Sequence, residues 1–468
     1  MPRRKVIDQR GFDWLTFAIY ISLVTIGAIS LYSVLYDKEA PYAFLDFHTQ
    51  VGKYFIIIIV SIIFFFISYV IDWQFWSTFA FPIYAISVIF LISVLLFGSD
   101  IKGARSWFNI FGFSFQPSEF AKFGTALAIS SYLSHYKNDF RNLKTILKAS
   151  LIVIIPILLI LLQPDAGSAI IFLSILILYY RAGFTVIFYI IAGILAATFI
   201  ITLIYNPQLV SFGALLLSIL IYSVMYSNNK YWNIAAVIIS SVSAFAYYKG
   251  YKIHTIAILS LAIIVVTFLH WLKNRENNII LVPITALTII FLSFVTNYSF
   301  HNILKPHQQD RLNVWLNPEK CDPRGSLYNV LQSKIAIGSG GIQGKGFLKG
   351  AMTQLNFVPE QTTDFIFSSI GEEQGFIGVV SVIILFLLLI LRLIKIAERG
   401  KNNFISYFAY TIAGYIFIHF FMNIGMNMGL LPVVGIPLPF ISKGGSSLIV
   451  FSIMMGVVLK MDAERNIR

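Results

Sequence analysis

Residues 315–375 read WLNPEKCDPRGSLYNVLQSKIAIGSGGIQGKGFLKGAMTQLNFVPEQTTDFIFSSIGEEQG, the longest interval of the chain without an apolar run of membrane length. Asp322, Glu360 and Asp364 stand in it among repeated glycines. The flanking sequence is oily on both sides. A polar, glycine-punctuated loop hung between membrane helices is where the chemistry is expected.

The composition makes the same division for the whole chain. Of 468 residues, 58% are hydrophobic and 12% charged, with 43 Phe and 24 Tyr. Soluble domains carry about 25% charged residues, so this pattern predicts an integral membrane protein, with aromatic side chains at lipid-facing and interfacial positions. The start MPRRKVIDQRGFDWLTFAIY lacks a small-residue cleavage site, and its long apolar run predicts a first spanning helix. Cys321 is the sole cysteine, which excludes an intramolecular disulfide and a cysteine-built zinc or iron–sulfur centre.

A spanning helix needs about 20 apolar residues. Runs of that kind occur from 13–36 to 443–461, five of them between 183 and 298, and the expected fold is an all-α polytopic membrane bundle of about fourteen helices. The whole chain, 1–468, reads as a single membrane domain, with an extracytoplasmic loop at 299–361. Arg3, Arg4 and Lys5 put the N-terminus in the cytoplasm. An even number of crossings brings the C-terminus to that side too. Lys137, Arg141, Lys144, Lys148, Arg181, Lys273, Arg275, Arg392, Lys395, Arg399 and Lys401 then fall inside, in agreement with the positive-inside rule.

The exceptions are informative. Lys102, Arg105, Lys305, Arg311, Lys320, Arg324, Lys334, Lys345 and Lys349 fall outside. Cations on that face suit an anionic partner at the outer leaflet, although a solvated loop surface accounts for any one lysine equally well. No heptads, low-complexity tracts or repeats of 20–50 residues stand out.

Several strings carry candidate chemistry. In KGARSWFNIFGFSFQPSEFAKF (102–123), WFNIFGFSF is too short to span and should lie in the interface or re-enter it. Pro117 fits a first helical turn, and Glu119 and Lys122 share a helix face three residues apart. Two ionisable groups inside a spanning helix either neutralise one another for packing or line a wet cavity. In QPDAGS (163–168), Asp165 reads as a turn and helix cap.

Asp322 precedes Pro323, a common turn context. An outer carboxylate could equally take a proton from a sugar hydroxyl. LYNVLQSKIAI (327–337) reads as a short amphipathic or interfacial helix. GSGGIQGKG (338–346) has the composition of a phosphate cradle without the spacing of a P-loop. Thr362 or Thr363 is expected to cap a helix entered at Asp364, and Glu372 and Glu373, inside an apolar run, call for a partner or water. GLLPVVGIPLPFISKGGSSLIV (429–450) resembles the non-helical backbone that membranes tolerate where it is buried in protein or lines a cavity.

Taken together, GARSW, QPSEFAKF, QPDAGS, NPEKCDPRG, LQSKIAIGSGGIQGKGFLKG, QLNFVPEQTTDFIFSSIGEEQGFIG and LPVVGIPLPFISKGGSSLI resemble the SEDS family (shape, elongation, division and sporulation). The resemblance covers roughly residues 10–182 and 299–465 in matching order, and is nearer the elongation branch. It departs at Leu327-Tyr328-Asn329, at Thr362 in place of a common His, and at Lys443 in place of a common aromatic residue. It departs most in length: the family typically has ten crossings, so 183–298 holds about four inserted helices, to which a packing or partner-docking role is assigned.

The resemblance implies a peptidoglycan glycosyltransferase that polymerises lipid II at the outer face of the bacterial cytoplasmic (inner) membrane during cell elongation and rod-shape maintenance. Its partners would be a class B penicillin-binding protein supplying the transpeptidase, other elongation-complex membrane proteins and membrane lipids, with no nucleic acid. The family's essential loop acid matches Asp322, and its helix pair matches Glu119 and Lys122. Arg105, Lys334, Glu360, Asp364 and Ser442 fall in matching strings and are expected at the substrate. No cofactor is assigned; a divalent cation, Mg or Mn, could assist, although no ligand cluster in the sequence marks it. A sugar already bearing a diphosphate leaving group needs a single base. The competing reading is a lipid II flippase or other polyprenyl-lipid transporter, against which stand the absence of a detectable inverted repeat and the polar weight of the outer loop.

Overall fold

In hydrocarbon every backbone N–H and C=O must be satisfied within the segment, so long apolar runs become helices. The computed structural model describes residues 11–36, 49–101, 104–110, 113–135, 142–226, 230–322 and 325–464. Among them, 11 helices are long and apolar enough to cross a membrane. The expected runs near 117–135, 167–182 and 231–248 also form helix, but fall outside that standard of length and apolarity.

The chain separates into two compact units, one of Met1–Phe184 with Asp322–Arg468 and one of Thr185–Cys321. The first contains α1 (Trp14–Val34), α2 (Gln50–Val70), α3 (Trp73–Thr78) and α4 (Ala80–Phe97). A small antiparallel sheet follows, β1 (Ser99–Ile101), β2 (Ala104–Ile110) and β3 (Phe113–Phe115), in that spatial order. The aromatic stretch expected at the interface is therefore a hairpin, with Phe108 opposite Phe115. Next come α5 (Pro117–Ser134), α6 (Leu143–Leu162), α7 (Ala166–Ile171) and α8 (Ile175–Arg181).

Side-chain caps set many of the starts. Asp13 accepts from the Thr16 amide, Thr49 from Gly52, Asn142 from Lys144 and Asp165 from Ser168.

The second unit holds α9 (Val186–Ile204), α10 (Pro207–Tyr226), α11 (Lys230–Tyr248), α12 (Lys252–Asn274), α13 (Leu281–Asn302) and α14 (Pro306–Leu316). Its core is a separate cluster around Phe212, Leu215, Leu259, Ile263 and Ala286, which joins α10, α12 and α13. Ser211 and Ser293 bond across α10 and α13 at 3.0 Å, a polar clasp between apolar helices.

The first unit resumes with α15 (Ser326–Ser339), α16 (Ala351–Gln354), α17 (Ile366–Arg399), α18 (Asn403–Asn427) and α19 (Gly445–Ala463). α15 is the short helix expected at 327–337. The cap expected at Thr362 or Thr363 is not the one formed. α17 begins at Ile366 after Phe365, without a side-chain cap, because the Thr363 and Phe365 amides bond back to the Glu360 carbonyl.

α18 and α19 are the most buried spans, and α5 is buried along most of its length. α19 runs along α2, where Gly456 faces the Ser68 hydroxyl and the Phe65 carbonyl and a methyl group would collide with both. Outward, side chains such as Leu96 and Phe97 remain exposed, as lipid-facing residues should.

Contacts define two faces of this unit. On one, where α1 begins, Arg392 reaches Asp13 at 2.5 Å, and Arg399 reaches Asp13 at 3.0 Å and Asp462 at 2.5 Å. Arg181 pairs with Glu398, which also accepts from the Tyr410 hydroxyl. Several cations read from the sequence as a topology signal are thus also structural ion-pair partners. At the other face lie the sheet, the start of α5, Asp165 and the loop between α18 and α19.

Candidate functional site

α5 starts at the face that carries the sheet, with Pro117 in its first turn and Glu119 close behind, where the helix dipole favours a carboxylate. Glu119 is 2% exposed and Lys122 is wholly buried. Lys122 Nζ lies 2.8 Å from Glu119 Oε2. It also lies 3.0 Å from His419 Nε2 on α18, and His419 Nδ1 lies 2.9 Å from the Pro437 carbonyl. Phe451 of α19 closes the centre: its ring is 5.4 Å from the ammonium and stands edge-on to the imidazole at 5.2 Å. Three helices and the last loop therefore converge on one buried cation.

A second polar cluster adjoins it along α5. Gln116 Nε2 donates to Asp165 Oδ2 at 2.9 Å and to Ser168 Oγ at 3.3 Å, and Ser168 Oγ donates to Asp165 Oδ2 at 2.8 Å. The Gln116 amide reaches Ser446 Oγ at 3.3 Å, which joins the start of α5 to the start of α19. Asp165 is the cap expected from QPDAGS and also holds Gln116.

Asn423 ties the loop between α18 and α19 to the Asp364 segment, and Asn427 holds that segment as well. Asn423 Nδ2 donates to the carbonyls of Asp364 and Ile436, and Asn427 Nδ2 donates again to Asp364. Ser442 is buried, and its hydroxyl oxygen accepts from the Leu438 amide at 2.8 Å. The Lys443 amide donates to the Thr362 carbonyl, and its ammonium to Gln50 Oε1 at 2.7 Å. Partial burial and then the neighbouring Lys53 ammonium hold the Lys443 amine below the usual lysine range, against the pull of Glu360.

The glycine-rich stretch does not form a phosphate cradle. The amides of Lys345 and Gly346 bond to the carbonyls of Glu372 and Glu373, and those of Phe376 and Ile377 bond back to Gly341 and Ile342. The helix yields at Gly375, whose φ of 64° suits glycine. Glu372 receives Lys345 at 2.6 Å, the Met352 and Thr353 amides at 2.9 and 2.8 Å, and the Thr353 hydroxyl at 2.7 Å. Glu373 accepts from Ser33 at 2.6 Å. These are the partners that two carboxylates in an apolar run require.

The structure thus divides the expected residues. Glu119 and Lys122 are in contact and buried, and the segments of Asp364 and Ser442 are joined through Asn423, Thr362 and Lys443. Arg105, Asp322, Lys334 and Glu360 are exposed. Arg105 lies on β2 opposite Asp100, Lys334 on α15 passes beside Gly429, and Glu360 holds a left-handed turn at φ 56°. The Asp322 carbonyl accepts from the Gly325 amide in the turn that leads into α15. Lys102 and Arg324 lie outside the described residues. Sequence reasoning missed His419, Gln116, Asn423 and Asn427. The available signal was a histidine and two asparagines at intervals of four in the apolar run IFIHFFMNIGMN, since polar groups there are expensive without a role.

Among the described residues no three His, Cys, Asp or Glu side chains converge as a metal site would need.

The profile of the FtsW, RodA and SpoVE family, described as cell cycle protein, matches residues 13–212 and 208–467. The peptidoglycan glycosyltransferase RodA of Treponema pallidum is 30% identical over 97% of this chain and 98% of its own. The peptidoglycan glycosyltransferase MrdB of Escherichia coli K12 is 30% identical over 82% of this chain and 77% of its own. Among solved structures, a chain from a peptidoglycan synthase complex that coordinates polymerisation and crosslinking superposes with a TM-score of 0.63, at 24% identity, covering 98% of this chain and 99% of that one. The rod shape determining protein RodA of Thermus thermophilus gives a TM-score of 0.56 at 20% identity, covering 97% and 98%. At those identities the superpositions speak for a shared fold.

Proposed function

Because this chain belongs to the FtsW, RodA and SpoVE family of cell cycle proteins and is a peptidoglycan glycosyltransferase of the elongation kind, we propose that Asp322 is the base of its polymerising reaction. The observation behind this choice is that Asp322 is an exposed acid at the approach to α15, where a large polar substrate can meet it, whereas Glu119 is buried on α5 beside Lys122. The substrate is lipid II. The Asp322 carboxylate takes the proton of the acceptor sugar's 4-hydroxyl, and that oxygen forms a bond to the donor's anomeric carbon. The bond from that carbon to the diphosphate breaks, undecaprenyl diphosphate departs with the electron pair, and the centre inverts to a β-1,4 linkage.

The departing diphosphate gathers negative charge. Arg105 and Lys122 are the cations assigned to it, Lys122 as a buried ammonium whose interactions are strengthened by the exclusion of water. Lys334, Glu360, Asp364 and Ser442 are assigned to the sugar and diphosphate. The face of Asp13, Arg399 and Asp462 is cytoplasmic in this reading, and the face of the sheet is extracytoplasmic. A class B penicillin-binding protein crosslinks the product. The helices of 183–298 are taken as the inserted group, with a docking or packing role.

Purified enzyme with its transpeptidase partner should convert lipid II into glycan strands, and Asp322→Ala should abolish the polymer while the protein still purifies as a folded species. Polymer made by the folded Asp322→Ala variant would refute the assignment of the base.

A further inference from the structure

Two groups lie close to the Lys122 ammonium: Glu119 Oε2, an ion-pair partner at 2.8 Å, and His419 Nε2, at a hydrogen-bond distance of 3.0 Å. The second contact constrains the imidazole. A carbonyl oxygen can only accept, so the 2.9 Å approach of Nδ1 to Pro437 requires the proton on Nδ1. That leaves Nε2 with its lone pair toward the ammonium. A doubly protonated ring would set N–H against N–H at the same distance. The completely buried His419 therefore fits its surroundings in one tautomer, chosen by the loop carbonyl.

We propose that His419 is a positioning residue for Lys122: its neutral Nε2 and the Glu119 carboxylate hold the ammonium between them as a fixed cation for the substrate's diphosphate. Its Nδ1–H ties that cation to the Pro437–Ser442 loop. Glu119 alone would leave the lysine free to turn about a single contact. The imidazole adds a second direction without adding charge, so the site keeps the positive field that a departing diphosphate needs. This inference deepens the functional reading above and rests on it for the identity of the anion.

Two substitutions separate the ring nitrogens. His419→Gln can carry an amide oxygen to the place of Nε2, keeping an acceptor for Lys122. His419→Asn reaches only the place of Nδ1, keeping a donor for Pro437 and withdrawing that acceptor. In lipid II polymerisation by the full-length enzyme with its partner, His419→Asn should lower kcat and kcat/KM together, and by about tenfold more than His419→Gln, as loss of a transition-state contact requires. Thermal midpoints of the two variants should agree. Equal turnover by the two, or a loss that follows the midpoint, would overturn the proposal. The nitrogen-15 spectrum of the imidazole, identified by its disappearance in His419→Gln, should show a neutral ring protonated at Nδ1. A ring protonated at Nε2 would overturn it as well. If the unaltered enzyme makes no polymer, the functional reading fails on its own, while the imidazole spectrum still decides the role of His419.

Discussion

Glu119 and Lys122 stand one helical turn apart on α5 with Oε2 and Nζ separated by 2.8 Å, and neither side chain is more than 3% exposed. A buried pair of this kind is costly to break from one side, because the remaining charge keeps its desolvation penalty without its partner. Lys122→Met alone and Glu119→Gln alone should each destabilise the protein by about 3–5 kcal/mol. The double variant should recover much of that loss in a thermal melt and still make no polymer. A double variant that polymerises lipid II would show the pair to be packing alone.

Glu372 gathers Lys345, the Met352 and Thr353 amides and the Thr353 hydroxyl around one carboxylate. Hydrogen bonds to a charged group contribute about 1.5–3 kcal/mol each, so this carboxylate is the main local tie on the segment from 345 to 354. Glu372→Gln should speed amide hydrogen exchange at Met352 and Thr353 at least about tenfold, a change of about 1.4 kcal/mol in local opening, with little effect on the second unit. Unchanged exchange there would mean that the backbone bonds between Gly341–Gly346 and α17 suffice.

That clasp marks what could be read in the chain and what could not. The membrane class followed from the apolar runs, and Asp165 from a proline, an acid and two small residues in a row. The Glu119–Lys122 contact followed from a spacing of three. The partners of Glu372 did not follow, because Lys345 stands 27 residues away and meets it only after the helix breaks at Gly375. A glycine inside an otherwise periodic apolar run does not announce a break. His419 was missed for a related reason: a single imidazole in an apolar helix carries no spacing to a partner, and its contacts come from α5 and from a loop with three prolines. The start of α17 was misplaced because the turn at Glu360, with φ 56°, takes the hydrogen bonds that a threonine cap would have supplied.

The break at Gly375 should itself be sensitive. Its φ is 64°, and a methyl group there would meet the Gly344 backbone. Gly375→Ala combines left-handed strain with a collision against backbone, so it should destabilise by more than the roughly 0.4–1 kcal/mol by which strain-free glycine replacements stabilise. A lower thermal midpoint and faster exchange at Lys345 and Gly346 are expected. A midpoint equal to that of the unaltered protein would show that the helix can straighten without harm.

On the opposite face, Asp13 caps α1 and binds both Arg392 and Arg399. Burial works against its charge, but the Thr16 amide and Arg392 outweigh that effect and hold the carboxyl below its usual value. A carboxylate whose folded value is depressed contributes stability above its unfolded pKa, and the contribution is lost as pH falls through the folded value. Asp13→Asn should therefore lower stability by roughly 1.5–3 kcal/mol at neutral pH, and the difference from the unaltered protein should shrink on acidification below about pH 4. Melts in detergent across that range test it. A constant difference would assign the loss to the cap alone.

Cys321, the sole cysteine, lies just before Asp322 and is partly exposed. Burial and then the nearby Asp310 raise its thiol above the usual range, which depletes the reactive thiolate at neutral pH. A membrane-impermeant maleimide added to intact spheroplasts should modify it slowly at pH 7 and progressively faster as pH rises through about 9, because the thiolate is the nucleophile. Cys321→Ser should abolish the modification. Labelling only after the membrane is opened would put this segment on the cytoplasmic side, and with it Asp322, where an acceptor sugar on the outer leaflet could not reach it.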